Sequence, residues 1–254
     1  MKTVLVTGGT VRLGKAIAAR LRAEGWRVIT ASHRADAGAD LVADLAEPMG
    51  AAKLYAAALK LLGGNPPDAL VNNAALFTGD DAAIAAVNLE APKKLTMLMA
   101  GRETGLGAVV NILDSVILGS LGLIGSNAKD PNDSNDPNDS KIPNDSNDSK
   151  DPKDSNDSND PNDSKDPNRL YLSSKRELAA FTRSAAATFA ATLRVNAVAP
   201  GPVLAPTEVH VKAGETLLDH RPTPNDVAAA VSYLLSAEST TGAIIPVDAG
   251  QHLT

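Results

Sequence analysis

The 254-residue chain has no cysteine, which excludes disulfides and thiolate metal sites and fits a reducing compartment. Aromatic residues are scarce at 3%, with one Trp, three Tyr and three Phe, so a core must come from Ala, Val, Leu and Ile. No apolar run approaches the roughly 20 residues of a membrane span. The opening MKTVLVTGG reaches two glycines too soon to be a signal-peptide core. A cytoplasmic protein is the expectation. His210, His220 and His252 show no ligand spacing, so no metal is expected. No basic stripe interleaved with aromatics points to nucleic acid.

What is present is 43% apolar, enough for a real core, and the length fits one large α/β domain or two small ones. The net charge of −6 is unevenly placed. Residues 127–168 hold 12 Asp and 5 Lys, a local charge of −7 that leaves the remainder near +1. Triplets of the form (Asn/Lys)-Asp-(Ser/Pro) repeat here, with Asp at every third position from Asp130 to Asp166 except Ile142. Such a segment has almost nothing to bury, so disorder is expected over 127–168. Its spacing lacks the glycine and alternating ligands of a calcium-binding loop.

Outside that segment, strands and helices alternate. Lys2-Thr3-Val4-Leu5-Val6 reads as a buried strand, followed by the turn Thr7-Gly8-Gly9-Thr10-Val11-Arg12-Leu13-Gly14 and a helix with Leu13, Ala16, Ile17 and Leu21 on one face. Further strands are expected at 26–31, 41–43, 68–71, 108–113, 193–198 and 243–247. Helices are expected at 51–62, through Ile84, Val87, Leu95 and Leu98, over 171–190, and after a cap at Thr223 with Pro224 and Asp226. This alternation predicts an α/β fold with a parallel sheet covered on both faces.

Several pairs and triplets stand at predicted strand ends. They are Asp44-Leu45, Asn72-Asn73-Ala74 with Phe77 beyond it, Asn111 with Asp114 three residues on, and Pro200-Gly201. Asn88 lies in the following helix, and Tyr171 precedes Lys175 by one helical turn, which puts both on one face. A glycine-bearing turn between strand and helix offers backbone N–H groups to an anion. After the second strand, a site for NAD would want an acid; Ser32-His33-Arg34 instead offers a hydroxyl, an imidazole and a fixed cation, suited to a 2′-phosphate. If the turn holds a dinucleotide, these residues favour NADPH as the expected cofactor.

In this order the motifs resemble those of the short-chain dehydrogenases/reductases over nearly the whole chain. The resemblance implies a single Rossmann-type domain over 1–254, a doubly wound parallel sheet of about seven strands, interrupted by the 127–168 insert. It implies cofactor contacts from Gly8, Thr10, Arg12, Leu13 and Gly14, from Ser32, His33 and Arg34, and from Asp44 and Leu45. Asn73, Ala74, Pro200 and Gly201 would join them, with Tyr171 and Lys175 at the nicotinamide end. Arg12, in a position where many members have glycine, looks like the pteridine reductase branch, which includes dihydromonapterin and dihydrofolate reductases. Asp114 in the usual serine position and Phe77 as a ring that stacks on substrate agree with that branch, while Ala75 departs from its serine.

The implied catalytic set is Tyr171 as proton donor, Lys175, Asp114, and Asn88 as the member that ties Lys175 to a water chain. The implied substrate contacts are Phe77, Arg12 and Asp114. Ser115 is expected on the other face of the sheet if the fifth strand continues to it. Residues from Pro202 to Arg221 would form a substrate lid, and a homo-oligomer would follow family habit. A carbonyl reductase of the same family, acting on 3-oxoacyl groups or small ketones, and a non-catalytic NADP(H)-binding sensor are the alternatives. Asp114 and Tyr171 are 57 residues apart where the family has about a dozen. Lengthening such a loop costs only about 1.3 kcal/mol, so the fold should survive it.

Overall fold

The computed structural model describes residues 1–103, 105–121, 169–203 and 216–254. The expected insert at 127–168 and residues 204–215 of the expected lid, His210 among them, lie outside the described residues. Seven parallel strands form one sheet in the order β3-β2-β1-β4-β5-β6-β7. They are β1 (Thr3–Thr7), β2 (Arg27–Ser32), β3 (Leu41–Val42), β4 (Ala69–Asn72), β5 (Gly107–Ile112), β6 (Leu193–Pro200) and β7 (Ile244–Val247). This is the doubly wound arrangement, and the order reverses between β1 and β4.

Alternation within each strand builds a core on both faces. On one face Val4, Val6, Ala69, Val71, Ala108, Val110 and Ile112 meet α1 (Arg12–Ala23) and α6 (Pro224–Ser236). On the other, Leu5, Leu70 and Val109 meet α2 (Gly50–Leu61), α4 (Ala91–Ala100) and α5 (Arg169–Thr188). Leu5, Leu54, Leu70 and Leu95 are fully buried, each stabilising the fold by about 1.5–3 kcal/mol. The core is aliphatic, as the scarcity of aromatics requires. Among the described residues no helix is long and apolar enough to cross a membrane.

One local expectation holds with a modification and one needs correction. The helix expected through Ile84 and Leu98 is continuous, with a π-turn (Ala86–Glu90) between α3 (Asp81–Ala85) and α4. Pro92 explains the π-turn: it has no N–H for the carbonyl of residue 88, so the helical ladder slips there. The fifth strand stops at Ile112 rather than continuing to Ser115. Asp114 turns the chain instead, its Oδ1 accepting from Val116 N at 3.0 Å to start a 3₁₀ turn at Ser115–Ile117. Ser115 is buried and its hydroxyl donates to Gln251 Oε1 at 3.3 Å. At α6 the expected cap is present in full: Asp226 N donates to Thr223 Oγ1 at 3.3 Å, and Thr223 N donates to Asp226 Oδ2 at 2.7 Å.

Candidate active site

Thr7 ends β1 and organises the carboxyl edge of the sheet. Its Oγ1 accepts from Asn73 N and Ala74 N, both at 3.0 Å, which fixes the end of β4 beside the turn. Asn73 Nδ2 donates to Thr7 O at 2.9 Å and Gly8 O at 3.2 Å. Gly8 sits at φ +62, and a Cβ on Gly14 would lie 2.0 Å from Gly8 O. The turn and the start of α1 thus touch backbone to backbone, leaving the first helical N–H groups open as an anion cradle. Arg12 adopts φ +47, a left-handed conformation that costs a non-glycine residue about 1–2 kcal/mol.

A cleft of about 1010 Å³ opens at the β1/β4 reversal. The turn residues Gly8, Thr10, Arg12, Leu13 and Gly14 line one end of it, with Ser32, His33, Arg34, Asp44 and Leu45 beside them. Asn73, Ala74, Phe77, Asp114, Tyr171, Lys175, Pro200 and Gly201 line the rest. Of the implied catalytic, cofactor and substrate residues, Asn88 alone lies off the cleft. It is fully buried in the π-turn, and its side chain is used on the loop after β4: Leu76 N donates to Oδ1 and Nδ2 donates to Leu76 O, each at 2.8 Å. Its amide is therefore engaged with Leu76 rather than directed to Lys175.

Along α5, Tyr171 and Lys175 point at the end of β5. Tyr171 OH donates to Asp114 Oδ2 at 3.0 Å. Burial first, and then the charge and hydrogen bond of Asp114, push the phenol well above its ordinary range. Lys175 is 3% exposed; its Nζ donates to Ile112 O at 2.8 Å and lies 5.6 Å from the Tyr171 ring centroid. Burial lowers its pKa to about 8, with the Asp114 charge opposing. Phe77 stacks on Tyr171, centroids 4.4 Å apart at 26°, so the ring expected to meet substrate rests against the phenol. It remains half exposed.

At the far end, the fork of Arg34 is occupied by Asp36, with Nε to Oδ1 at 3.0 Å and Nη2 to Oδ2 at 2.7 Å. The sequence signal for Asp36 is the Arg-x-Asp spacing of residues 34–36. The pair is fully solvated, so a stronger anion can compete for the guanidinium. Thr7 and Leu76 work through a hydroxyl or the backbone, which leaves little trace in residue type. Among the described residues no group of three His, Asp or Glu could hold a metal.

Fold and cleft together define a doubly wound α/β protein with a Tyr–Lys–Asp cluster at the topological switch point. Residues 163–252 match a family described as enoyl-(acyl carrier protein) reductase. The short-chain dehydrogenase/reductase homolog YusR of Bacillus subtilis is 39% identical over 89 residues, 33% of this chain and 69% of that protein. Protein FixR of Bradyrhizobium diazoefficiens is 27% identical over 273 residues, 99% of this chain and 87% of that one. Among solved structures, FolM alternative dihydrofolate reductase 1 from Brucella canis, complexed with NADP, aligns with a TM-score of 0.72 at 28% identity. That alignment covers 100% of this chain and 95% of the other. The chain belongs to the short-chain dehydrogenase/reductase family of oxidoreductases.

Proposed function

We propose that this protein is an NADPH-dependent reductase of a pterin or dihydrofolate-like substrate. The observation that carries the reading is the hydrogen bond from Tyr171 to Asp114, on the cleft wall that also presents Phe77. The residues present fit the cofactor: the tight Gly8–Gly14 turn is a cradle that a Cβ would fill, and Arg12, Ser32, His33 and Arg34 surround the same end of the cleft. Gly8, Thr10, Leu13, Gly14 and Arg12 would hold the pyrophosphate. Ser32, His33 and Arg34 would meet the 2′-phosphate, and Asp44, Leu45, Asn73 and Ala74 would flank the nucleoside. The kinship with a protein crystallised with NADP supports this choice. NADPH supplies a hydride when bound.

Tyr171 holds its proton on Asp114, loaded for donation across the neutral range. Releasing it would leave a phenolate 3.0 Å from a carboxylate, so reprotonation must be prompt. Lys175, with a pKa of about 8, is the neighbouring cation that can supply the proton and stabilise the phenolate. Phe77, backed by Tyr171, offers its other face to a flat heterocycle, which suits an offset aromatic stack. Asn88 acts by fixing Leu76, the residue before Phe77. Pro200 and Gly201 close the nicotinamide end. A homo-oligomer belongs to the same reading and is checked by light scattering.

The test is a panel of dihydrobiopterin, dihydrofolate, a 3-oxoacyl thioester and small ketones, each with NADPH and with NADH. Turnover of the dihydropterins, faster with NADPH, supports the reading. Turnover of ketones or oxoacyl groups alone would replace it with a carbonyl reductase. NADPH binding with no turnover of any panel member, unchanged in Tyr171→Phe, would replace it with a sensor.

A further inference from the structure

Beneath the cleft, a line of buried amides and one hydroxyl crosses from β4 through β5 to α5. Asn72 Nδ2 donates to Asn111 Oδ1 at 2.8 Å, and Asn111 Nδ2 donates to Thr182 Oγ1 at 2.9 Å. Thr182 Oγ1 in turn donates to Leu178 O at 2.8 Å. Asn111 and Thr182 are fully buried and Asn72 is 3% exposed, so water competes poorly for these bonds. Thr182 follows Lys175 by seven residues and Tyr171 by eleven, close to whole numbers of turns at 3.6 residues each. All three therefore share the face of α5 that looks at β5.

The pairing between strand and helix runs in opposite directions. Asp114, Ile112 and Asn111 of the β5 end hold Tyr171, Lys175 and Thr182 in turn. The first two of these contacts belong to the reacting groups and must be free to change during turnover. The third involves no titratable group and can stay closed. Asn72 then carries the line to β4, where its neighbour Asn73 binds Thr7 O and Gly8 O of the phosphate turn. Asn72 thus reaches the catalytic helix through Asn111, while Asn73, just past the end of β4, binds the dinucleotide turn.

We infer that Asn111 and Thr182 are positioning residues, whose buried hydrogen bond sets the height and rotation of α5 and so the placement of Tyr171 and Lys175 relative to the phosphate turn. The catalytic part rests on the proposed reductase reading; the positional part does not. A misplacement of about 1 Å can cost about 10²-fold in rate, so even a partial slip would be visible.

The experiment compares Thr182→Val, which keeps the shape and removes the hydroxyl, with Thr182→Ser, which restores it. With NADPH and the best panel substrate, Thr182→Val should lower kcat about tenfold while the KM for NADPH stays within about twofold, and Thr182→Ser should recover most of the rate. The second readout needs no turnover. The chain has three tyrosines, so 3-fluorotyrosine labelling gives three ¹⁹F resonances, with Tyr171 assigned by Tyr171→Phe. The Tyr171 signal should move in Thr182→Val and return in Thr182→Ser, while that of Tyr55 holds still. Asn72→Ser, which cuts the far end of the line, should shift it the same way by less, and serves if Thr182→Val does not fold. A melting point that falls while the Tyr171 resonance stays fixed would reduce these residues to general stability and overturn the inference. If no panel substrate turns over in the unmodified protein, the reductase reading fails and the ¹⁹F comparison alone decides this one.

Discussion

Replacing Lys175 with methionine should abolish turnover and yet stabilise the protein at neutral pH. The amine is 3% exposed, and burial holds its pKa at about 8 against an ordinary 10.5. A gap of roughly 2.5 pH units corresponds to about 3 kcal/mol by which folding disfavours the charged form. Because the folded value lies below the unfolded one, that penalty is complete below pH 8 and is relieved as pH rises from about 8 towards 10.5. Methionine has a similar unbranched length and no charge to desolvate. It does leave Ile112 O without the donor now at 2.8 Å, a loss of about 1 kcal/mol. Lys175→Met should therefore unfold with a free energy about 2 kcal/mol higher than the parent at pH 7, about equal near pH 9.5, and lower by about 1 kcal/mol at pH 11. Urea unfolding of both proteins at these three pH values, with m held common, measures the difference directly. A variant less stable at pH 7, or a difference that does not change with pH, would refute the view that this lysine is held charged against its surroundings.

Arg12→Gly should relieve the backbone at φ +47 and raise stability by about 0.5–1 kcal/mol, read by urea titration, after the entropy of the added glycine is allowed for. The same change should weaken NADPH binding about tenfold, the worth of one charge-assisted hydrogen bond, as followed by fluorescence titration. Gly14→Ala places a methyl 2.0 Å from Gly8 O and 2.6 Å from Asn73 Nδ2; a loss of about 1–3 kcal/mol and of measurable NADPH binding is expected by calorimetry. Thr223→Ala should cost about 1 kcal/mol at pH 7 through the lost cap. The Thr223 N–H and hydroxyl hold the Asp226 carboxyl below its ordinary value, so its contribution is present above pH 4 and fades as pH falls further; the cost of the substitution should shrink with it in acid unfolding curves.

Sequence patterning carried the sheet well because strand alternation and helical period have one physical reading once both faces must be covered. Val4, Val6 and Leu5 divide between the two cores as alternation requires. The Thr223 cap was legible because a cap is local. The π-turn within the helix is legible in Pro92, whose missing N–H is written in the residue type. Other features were not legible. Asn88 could have served several partners, and only the return of the chain after β4 brings Leu76 within its reach. The Phe77–Tyr171 stack joins residues 94 positions apart that no local rule connects. Arg34 taken alone is open to phosphate, but the chain supplies it with Asp36 two residues on, a solvated pair whose presence changes the competition without closing the site.

Asp114 shows why local and chemical readings of one side chain need not compete. As an ordinary cap, its Oδ1 accepts Val116 N and turns the chain out of β5. That turn fixes the carboxylate, and the second oxygen is then left facing the Tyr171 hydroxyl. A carboxylate has two acceptor atoms in a rigid plane, so the first bond orients the second. Serine has a single oxygen that would have to serve both partners. With aspartate the cap and the tyrosine contact are satisfied separately, and the charge that comes with the second oxygen adds to burial in keeping the phenol protonated. The hydrogen bond that holds the Tyr171 proton is thus made by a residue whose position is decided by the backbone of Val116.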